Sequence, residues 1–520
     1  MKKVIWFVLM LLMLGAGVFI GKSLFKQDEK PAMPIVSLSG NSELNTSGSI
    51  QSYFSGSILE VRDGESIQEA VGKAKKGDMI RVYPGTYHET VYIDKDEITM
   101  QGVIRNGEWP LMDGKKTLND AILYSGNGIL IENFKIINYK GNGIMGQAGN
   151  NFVIRNNWVD DTGVYGIFPE FGKNGLISHN KLSGIEDAAI YVGMCDNIDV
   201  RNNEVFESVA GIEIENCRYS LVEDNYTHDN SAGILVFITP GLPIKTCEHT
   251  IVRNNFVVNN NGENFGQEGS LVAALPPGTG IVIMAADDVT IENNFITGND
   301  NVGIVVTDLS FGAQLSLDPG SDPNPERLVI LDNFMADNGK NPVADVKAAM
   351  ATQLSTTGPD ILAVGNTSGC IRNAANYRTF GVDHFSRCEH AGTAEITTYL
   401  LDKPVERNID ENEKGKLAYF GVCSGCHAYD IRMIGPPTKV IQSLYKDNPQ
   451  AIADYIANPE RKREDYPEMP PQSHLTEETR LAVANYLLSI ENHPEQGMGR
   501  LHYHKEAYDG KASEPKQESN

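Results

Sequence analysis

Two thiols three positions apart, with an imidazole directly behind the second, stand at Cys423-Ser424-Gly425-Cys426-His427. That order suits covalent capture of a haem, because the thiols bond its two vinyl groups and the histidine ligates its iron. It implies one-electron transfer. A Cys-x-x-Cys pair also serves as a redox dithiol, so the haem reading requires a second iron ligand downstream. Met469 is that ligand in Tyr466-Pro467-Glu468-Met469-Pro470-Pro471, where the flanking prolines hold the chain extended and let a thioether point at a metal. Met433 follows His427 too closely to reach the far face, and His474 falls outside the proline-framed turn. His474 stays open as an alternative, since methionine and histidine both ligate haem iron. A soft thioether favours ferrous iron and so places the couple at the higher-potential end.

Short helices must position these ligands. Gly415 and Tyr419 lie four apart, a small and an aromatic residue where two helices can cross closely. Gly435-Pro436-Pro437 shapes the histidine side, and Asn448 with Pro449 reads as the start of a helix to Ala457. A last helix is expected from about Thr476 to Glu491, with Leu481, Ala484 and Leu488 on its buried face. With haem motif, Gly-Pro and Met-Pro in family order, residues 410 to 495 resemble a class I, single-haem cytochrome c domain. The resemblance implies one covalent haem c held by Cys423, Cys426, His427 and Met469, in an all-α fold.

The 520 residues carry a net charge of −24, which repels nucleic acid and anionic membrane surfaces. Lys2 and Lys3 precede an apolar run from Val4 to Ile20, the layout of an export signal or an uncleaved membrane anchor. Export agrees with haem c, which is attached outside the cytoplasmic membrane in bacteria. The expected organisation is a signal or anchor over 1–26, a linker over 27–56, a β-helix over 57–400, the cytochrome over 401–495 and a polar disordered tail over 496–520. A periplasmic location follows, with membrane contact through the N-terminal segment alone.

The middle of the chain repeats. Asn133, Asn157, Asn180, Asn203 and Asn225 recur every 22 to 24 residues, and Asn255, Asn294 and Asn333 continue the series at longer intervals. A second ladder, Gly143, Gly166, Ala189, Gly211, Gly233, Gly280 and Gly303, opens a short apolar strand in each repeat. One such repeat is one coil of a right-handed parallel β-helix, whose stacked asparagine amides hydrogen-bond along the axis. Glu65 to Ala74 is amphipathic and reads as a helix capping the first coil. On these features the region from about 57 to 370 resembles the pectin-lyase-like β-helix superfamily. The fold alone assigns no activity.

Alternation places Ile167, Ile190, Ile212 and Ile234 in the core, and Phe168, Glu170, Tyr191, Glu213 and Glu215 on an outward row. Glu213 and Glu215 are expected about 7 Å apart, with Glu170 two coils away across the Gly193 gap. Such a row would raise a carboxyl pKa for acid/base work or hold Ca²⁺ with a sugar acid. The bland expectation is a solvated acidic surface. Longer intervals at 238–247, 260–279 and 309–326 place loops on both sides of the row. Cys370 and Cys388 are expected to pair in an oxidising compartment, while Cys195 and Cys217 stack one coil apart and Cys247 sits in a loop.

Two functions of different class fit. The first is an exported electron-transfer protein with a redox partner, whose β-helix is a platform for a polysaccharide or a partner protein. The second is a polysaccharide lyase or uronate epimerase with a fused cytochrome, for which Tyr191 is the sole base on the row. A copper-delivering β-helix would require Met and His clusters, which the sequence lacks outside the haem region.

Overall fold

The computed structural model describes residues 54–490, except 241, 243, 268, 269, 312–317, 319, 407–412, 425, 428, 430–434 and 467. The N-terminal signal or anchor, most of the linker, Met433 and the C-terminal tail lie outside the described residues. No helix among the described residues is long and apolar enough to cross a membrane.

Each coil contributes strands to three sheets, of 13, 11 and 10 described strands. Neighbouring strands come from successive coils and pair in parallel. The 11-stranded sheet carries a column of isoleucines in register, Ile122, Ile144, Ile167, Ile190, Ile212, Ile234, Ile281, Ile304 and Ile361, each fully buried in the lumen. At about 25 cal/mol per Å² of apolar area, that column is a principal source of solenoid stability. The asparagine series closes a turn. Asn180 Nδ2 donates to Asn203 Oδ1 at 3.0 Å, Asn203 to Asn225 at 2.9 Å and Asn225 to Asn255 at 3.0 Å, and the ladder continues to Asn333. A second amide ladder, Asn230, Asn260, Asn299 and Asn338, runs beside it. Buried turn backbone thereby finds its partners.

The capping helix spans Ile67–Lys73, with Ser66 at its N-cap and Ile67, Ala70 and Val71 buried. Glu89 accepts from the backbone N–H of Ile67 and Gln68, placing a carboxylate at the helix start where the macrodipole favours it. At the other end Cys370 and Cys388 form a disulfide. Closing that 18-residue separation is worth about 3 kcal/mol.

Residues 393–406 then run back along the solenoid as a strap. Thr393 N–H donates to Glu292, Tyr399 N–H to Asp199 at 3.1 Å, Leu401 N–H to Asn174 Oδ1 at 2.9 Å and Val405 N–H to Asn151 Oδ1 at 2.8 Å. Asn151, Asn174 and Asn197 occupy one stacked position with φ near +55° to +60°, a conformation asparagine tolerates better than most residues. Their amides meet the strap backbone, Asn197 and Asn151 donating to the carbonyls of Tyr399 and Val405. Arg253 anchors the strap's start. Its guanidinium binds Glu223 at 2.6 Å and the carbonyls of Thr393 and Ile396, and both charged groups are buried. Arg253→Ala takes from the buried Glu223 its nearest cation, leaving Arg201 at 3.4 Å, and strips the strap carbonyls of their donor, and is expected to cost about 2 kcal/mol. Calorimetry checks the stability, and faster proteolysis within 393–406 checks the strap.

The strap delivers the chain to a helical region beside the solenoid's early coils. Its helices are Lys414–Ala418 continuing into a π-helical turn Tyr419–Cys423, then Thr438–Leu444, Pro449–Ala457 and Glu477–Ser489. Asn448 caps the third as expected, accepting from Ala451 N–H. The last helix begins at its N-cap Thr476, but its buried face is Thr479, Val483, Ala484 and Leu487, with Leu481 and Leu488 only partly buried. The reason is the crossing. A Cβ on Gly415 would lie 2.2 Å from the Ala482 carbonyl oxygen, so the first helix approaches at Ala482–Val483, and Tyr419 meets Tyr486 one turn on.

Candidate functional site

The haem motif begins within the π-helical turn. Cys423 and Ser424 are buried and Cys426 is partly exposed, with the N–H groups of Cys426 and His427 both donating to the Cys423 carbonyl at 3.1 Å. His427 Nδ1–H donates to the Pro436 carbonyl at 2.9 Å. That bond sets the tautomer and leaves Nε2 as the lone-pair donor. Burial lowers the His427 pKa, keeping the ring neutral as a ligand must be. Gly435 cannot carry a side chain, because its Cβ would fall 2.4 Å from His427 Cε1. The proline after it supplies the carbonyl and the glycine makes the room.

Met469 is half-buried and packs on the helical core. His474 Nε2 is buried with no hydrogen-bond partner, and burial pushes its pKa down to about 4. It is therefore neutral at pH 7. Two thiols, a preset imidazole and a half-buried thioether fit a haem c. The haem, when bound, supplies a one-electron couple. The chain orients His427 through Pro436 and would offer Met469 or His474 as the second ligand.

The acidic row differs from the solvated surface expected of it. Glu170, Tyr191, Glu213 and Glu215 are 2%, 6%, 2% and 7% exposed. They lie outside the lumen, between inward isoleucines, but out of solvent. Part of the cover is the haem domain, whose π-helical turn packs on the strands Ile122–Tyr124 and Ile144–Gln147. Ser424 Oγ donates to Gln147 Oε1 at 3.0 Å, and Gln147 Nε2 donates to Glu170 Oε2 at 2.6 Å. A residue between the two haem cysteines is thus two hydrogen bonds from the row.

Tyr191 folds over the Gly193 gap, where a Cβ would meet its Cε1 at 2.4 Å, and donates its hydroxyl to Glu215. Its ring stacks on Tyr165 at 4.5 Å and abuts Phe168 edge-on at 4.8 Å. Burial raises the Tyr191 pKa well above its ordinary value, with Glu215 adding to the rise. A buried phenol in that state is a poor general base. Asp187, which sequence reasoning missed, joins the row, its pKa pushed up to about 7 by burial and by Glu215. Glu213 is raised well above the carboxylate range by burial, then by Asp187 and Glu215, and its Oε1 has no hydrogen-bond partner.

Cys195, Cys217 and Cys247 are buried with raised thiol pKa values for Cys217 and Cys247, and do not gather into a ligand set. Nor does the row gather three ligand atoms for Ca²⁺ among the described residues.

The 10-stranded sheet presents a different surface. Tyr226, Phe256, Phe295 and Phe334 stand in register on successive coils, 37%, 54%, 37% and 56% exposed. Their ring centroids are 6.5, 5.7 and 4.9 Å apart in turn. The signal was in the sequence, where each aromatic directly follows a ladder asparagine: Asn225-Tyr226, Asn255-Phe256, Asn294-Phe295 and Asn333-Phe334.

Comparison with known proteins agrees with both halves. Residues 85–272 match the family described as periplasmic copper-binding protein (NosD), and residues 412–491 match cytochrome c. The chain carries a NosD β-helix domain and a C-terminal cytochrome c domain. The cytochrome c domain contains the whole haem motif together with Met469 and His474. No curated protein matches the chain. Among solved structures it is similar to the mannuronan C-5 epimerase AlgE4 A-module of Azotobacter vinelandii, at 13% identity and TM-score 0.40, covering 64% of this chain and 89% of that one. An alginate lyase from Paenibacillus sp. str. FPU-7 gives 14% and 0.38, covering 55% and 99%. A DFA-IIIase mutant from Arthrobacter chlorophenolicus A6 gives 13% and 0.41, covering 66% and 99%. At these values the likenesses bear on neither activity nor ligand.

Proposed function

We propose that the protein is an extracytoplasmic electron carrier. One covalent haem c in the cytochrome c domain exchanges single electrons with a redox partner protein, and the NosD β-helix domain is the platform that binds a partner protein or a polysaccharide. The observation that carries the platform reading is the aromatic row Tyr226, Phe256, Phe295 and Phe334. A contiguous exposed apolar stripe on a solenoid marks an interaction surface. The buried Glu170, Tyr191, Glu213 and Glu215 do not offer a polymer a surface, so this reading moves the platform from the 11-stranded to the 10-stranded sheet. Electron transfer supports an exported location, since haem c is attached there; an N-terminal membrane anchor over Val4 to Ile20 belongs to the same proposal.

The double change Phe256→Ser and Phe295→Ser tests it. These side chains are on the outer face, so folding and the haem spectrum are expected to persist, while binding to extracts or glycan arrays that retain the wild-type protein falls at least tenfold. Equal retention of variant and wild type on every such array would remove the platform from this sheet. Unchanged reduction of a small soluble acceptor by the variant separates loss of docking from loss of electron transfer.

A further inference from the structure

We propose that Glu248, His249 and Asp288 form a binding site for a divalent transition-metal ion, separate from the haem. One ligand atom from each lies within 4.8 Å of the others, and the three side chains are only partly buried, so an ion can reach them.

Two stacks of the solenoid change character here. The position occupied by Asn151, Asn174 and Asn197, whose amides bind the strap, continues in register as Tyr219, His249, Asp288 and Arg327. Every one keeps the positive φ, 56° at His249 and 49° at Asp288, though none is the asparagine that favours it. The neighbouring stack alternates in charge as Lys173, Asp196 and Arg218, with Lys173 and Arg218 each paired to Asp196. Glu248 completes the alternation and beyond it the alternation stops, with Asp287 and Glu326 following. Asp287, Asp288 and Glu326 thus share Arg327, while the cation beside Glu248 is Arg218 of the preceding coil, which is paired to Asp196. Like charges on adjacent coils destabilise a sheet unless a cation lies between them.

The donor groups are ready. His249 stacks on Tyr219 with centroids 4.7 Å apart and rings 15° from parallel, which fixes its orientation. Among the described residues, neither its ring nitrogens nor the Glu248 carboxylate has a hydrogen-bond or ion-pair partner. Arg327 grips both oxygens of Asp288, at 2.8 and 2.9 Å. A metal would use the remaining lone pairs of that carboxylate, with Arg327 as the outer partner that sets its plane. His249 and Asp288 open on a cavity of 590 Å³ that His390 and strap residue Thr393 also line. One imidazole with two carboxylates suits Zn²⁺, Mn²⁺ or Cu²⁺ and leaves coordination positions open to water or a ligand. Without thiolate or thioether donors, it does not suit Cu(I).

The test uses the full haem-loaded protein, stripped with a chelator and desalted. Calorimetric titration with Zn²⁺ is expected to show one equivalent beyond the haem iron. Cu²⁺, as a spectroscopic probe, is expected to show hyperfine coupling to a single nitrogen. His249→Gln should weaken Zn²⁺ at least 30-fold and abolish that coupling, with the haem spectrum unchanged. Glu248→Gln, at a more tolerant position, should weaken Zn²⁺ about tenfold should His249→Gln fail to fold. The proposal is overturned if no equivalent binds, if binding survives both changes, or if it is lost only on replacing His502 and His504 of the tail.

Discussion

Met469→Ala is expected to keep the haem attached and to lose the thioether-to-iron charge-transfer band of the oxidised protein. Attachment depends on Cys423 and Cys426, which the change does not touch. The potential should fall steeply, since axial ligands command a span of roughly 0.8 V across haem proteins. His474 gives the experiment its second arm. Its Nε2 is buried without a partner and its pKa of about 4 keeps it neutral, so chemically it is a competent ligand. If Met469 is the sixth ligand, His474→Ala leaves band and potential nearly unchanged. A wild-type spectrum without the band, altered by His474→Ala and indifferent to Met469→Ala, would reverse the assignment. A third result is informative in a different way: if Met469→Ala yields a low-spin haem of lower potential, His474 has moved onto the iron in its place.

What the sequence made legible was what local chemistry or strict periodicity encodes. The haem pentapeptide, the asparagine ladder, the capping helix at Ser66 and the Cys370–Cys388 pair each depend on residues near one another in sequence or repeated at one-coil intervals. Alternation also correctly put Glu213 between inward Ile212 and Ile214. It could not show that an outward row is covered, because part of the cover comes from residues some 200 to 280 positions away, as in the bond from Ser424 to Gln147. The strap was hidden for the same reason. Its partners are asparagines that read as turn formers until the segment that binds their amides is placed beside them. The aromatic row was encoded locally, by an aromatic after each ladder asparagine, but its exposure depends on the register of the 10-stranded sheet, which alternation along one strand does not give. Leu481 and Leu488 show a smaller failure, in which helical period gave the right element but Gly415, from another helix, decided which face is buried.

The covered row should make folding stability depend on pH in a way that Asp187→Asn reduces. An Asp in the unfolded chain releases its proton near pH 4, whereas Asp187 in the folded protein holds it to about 7. Below pH 4 both states are protonated and the difference contributes nothing. Between 4 and 7 the folded state binds more protons, so stability falls as pH rises and levels off above 7, by a few kcal/mol at most. Glu213, raised further by burial, acts with the same sign. Buried His474 acts with the opposite sign below pH 6.5, because there the unfolded histidine binds the extra proton. His228, raised by Glu204 and Asp229 against its burial, loses stabilisation as pH rises, in the same direction as the row. The raw pH profile of the wild type therefore mixes these slopes, and the difference between wild type and Asp187→Asn reports Asp187 together with the part of the Glu213 shift that Asp187 causes. That difference is expected to be small at pH 4, to grow in favour of the variant through pH 7 and to remain constant at pH 8, as measured by denaturant midpoints at fixed ionic strength. A difference independent of pH would mean that Asp187 is ionised in the folded protein, and that water or a cation reaches the row despite its burial.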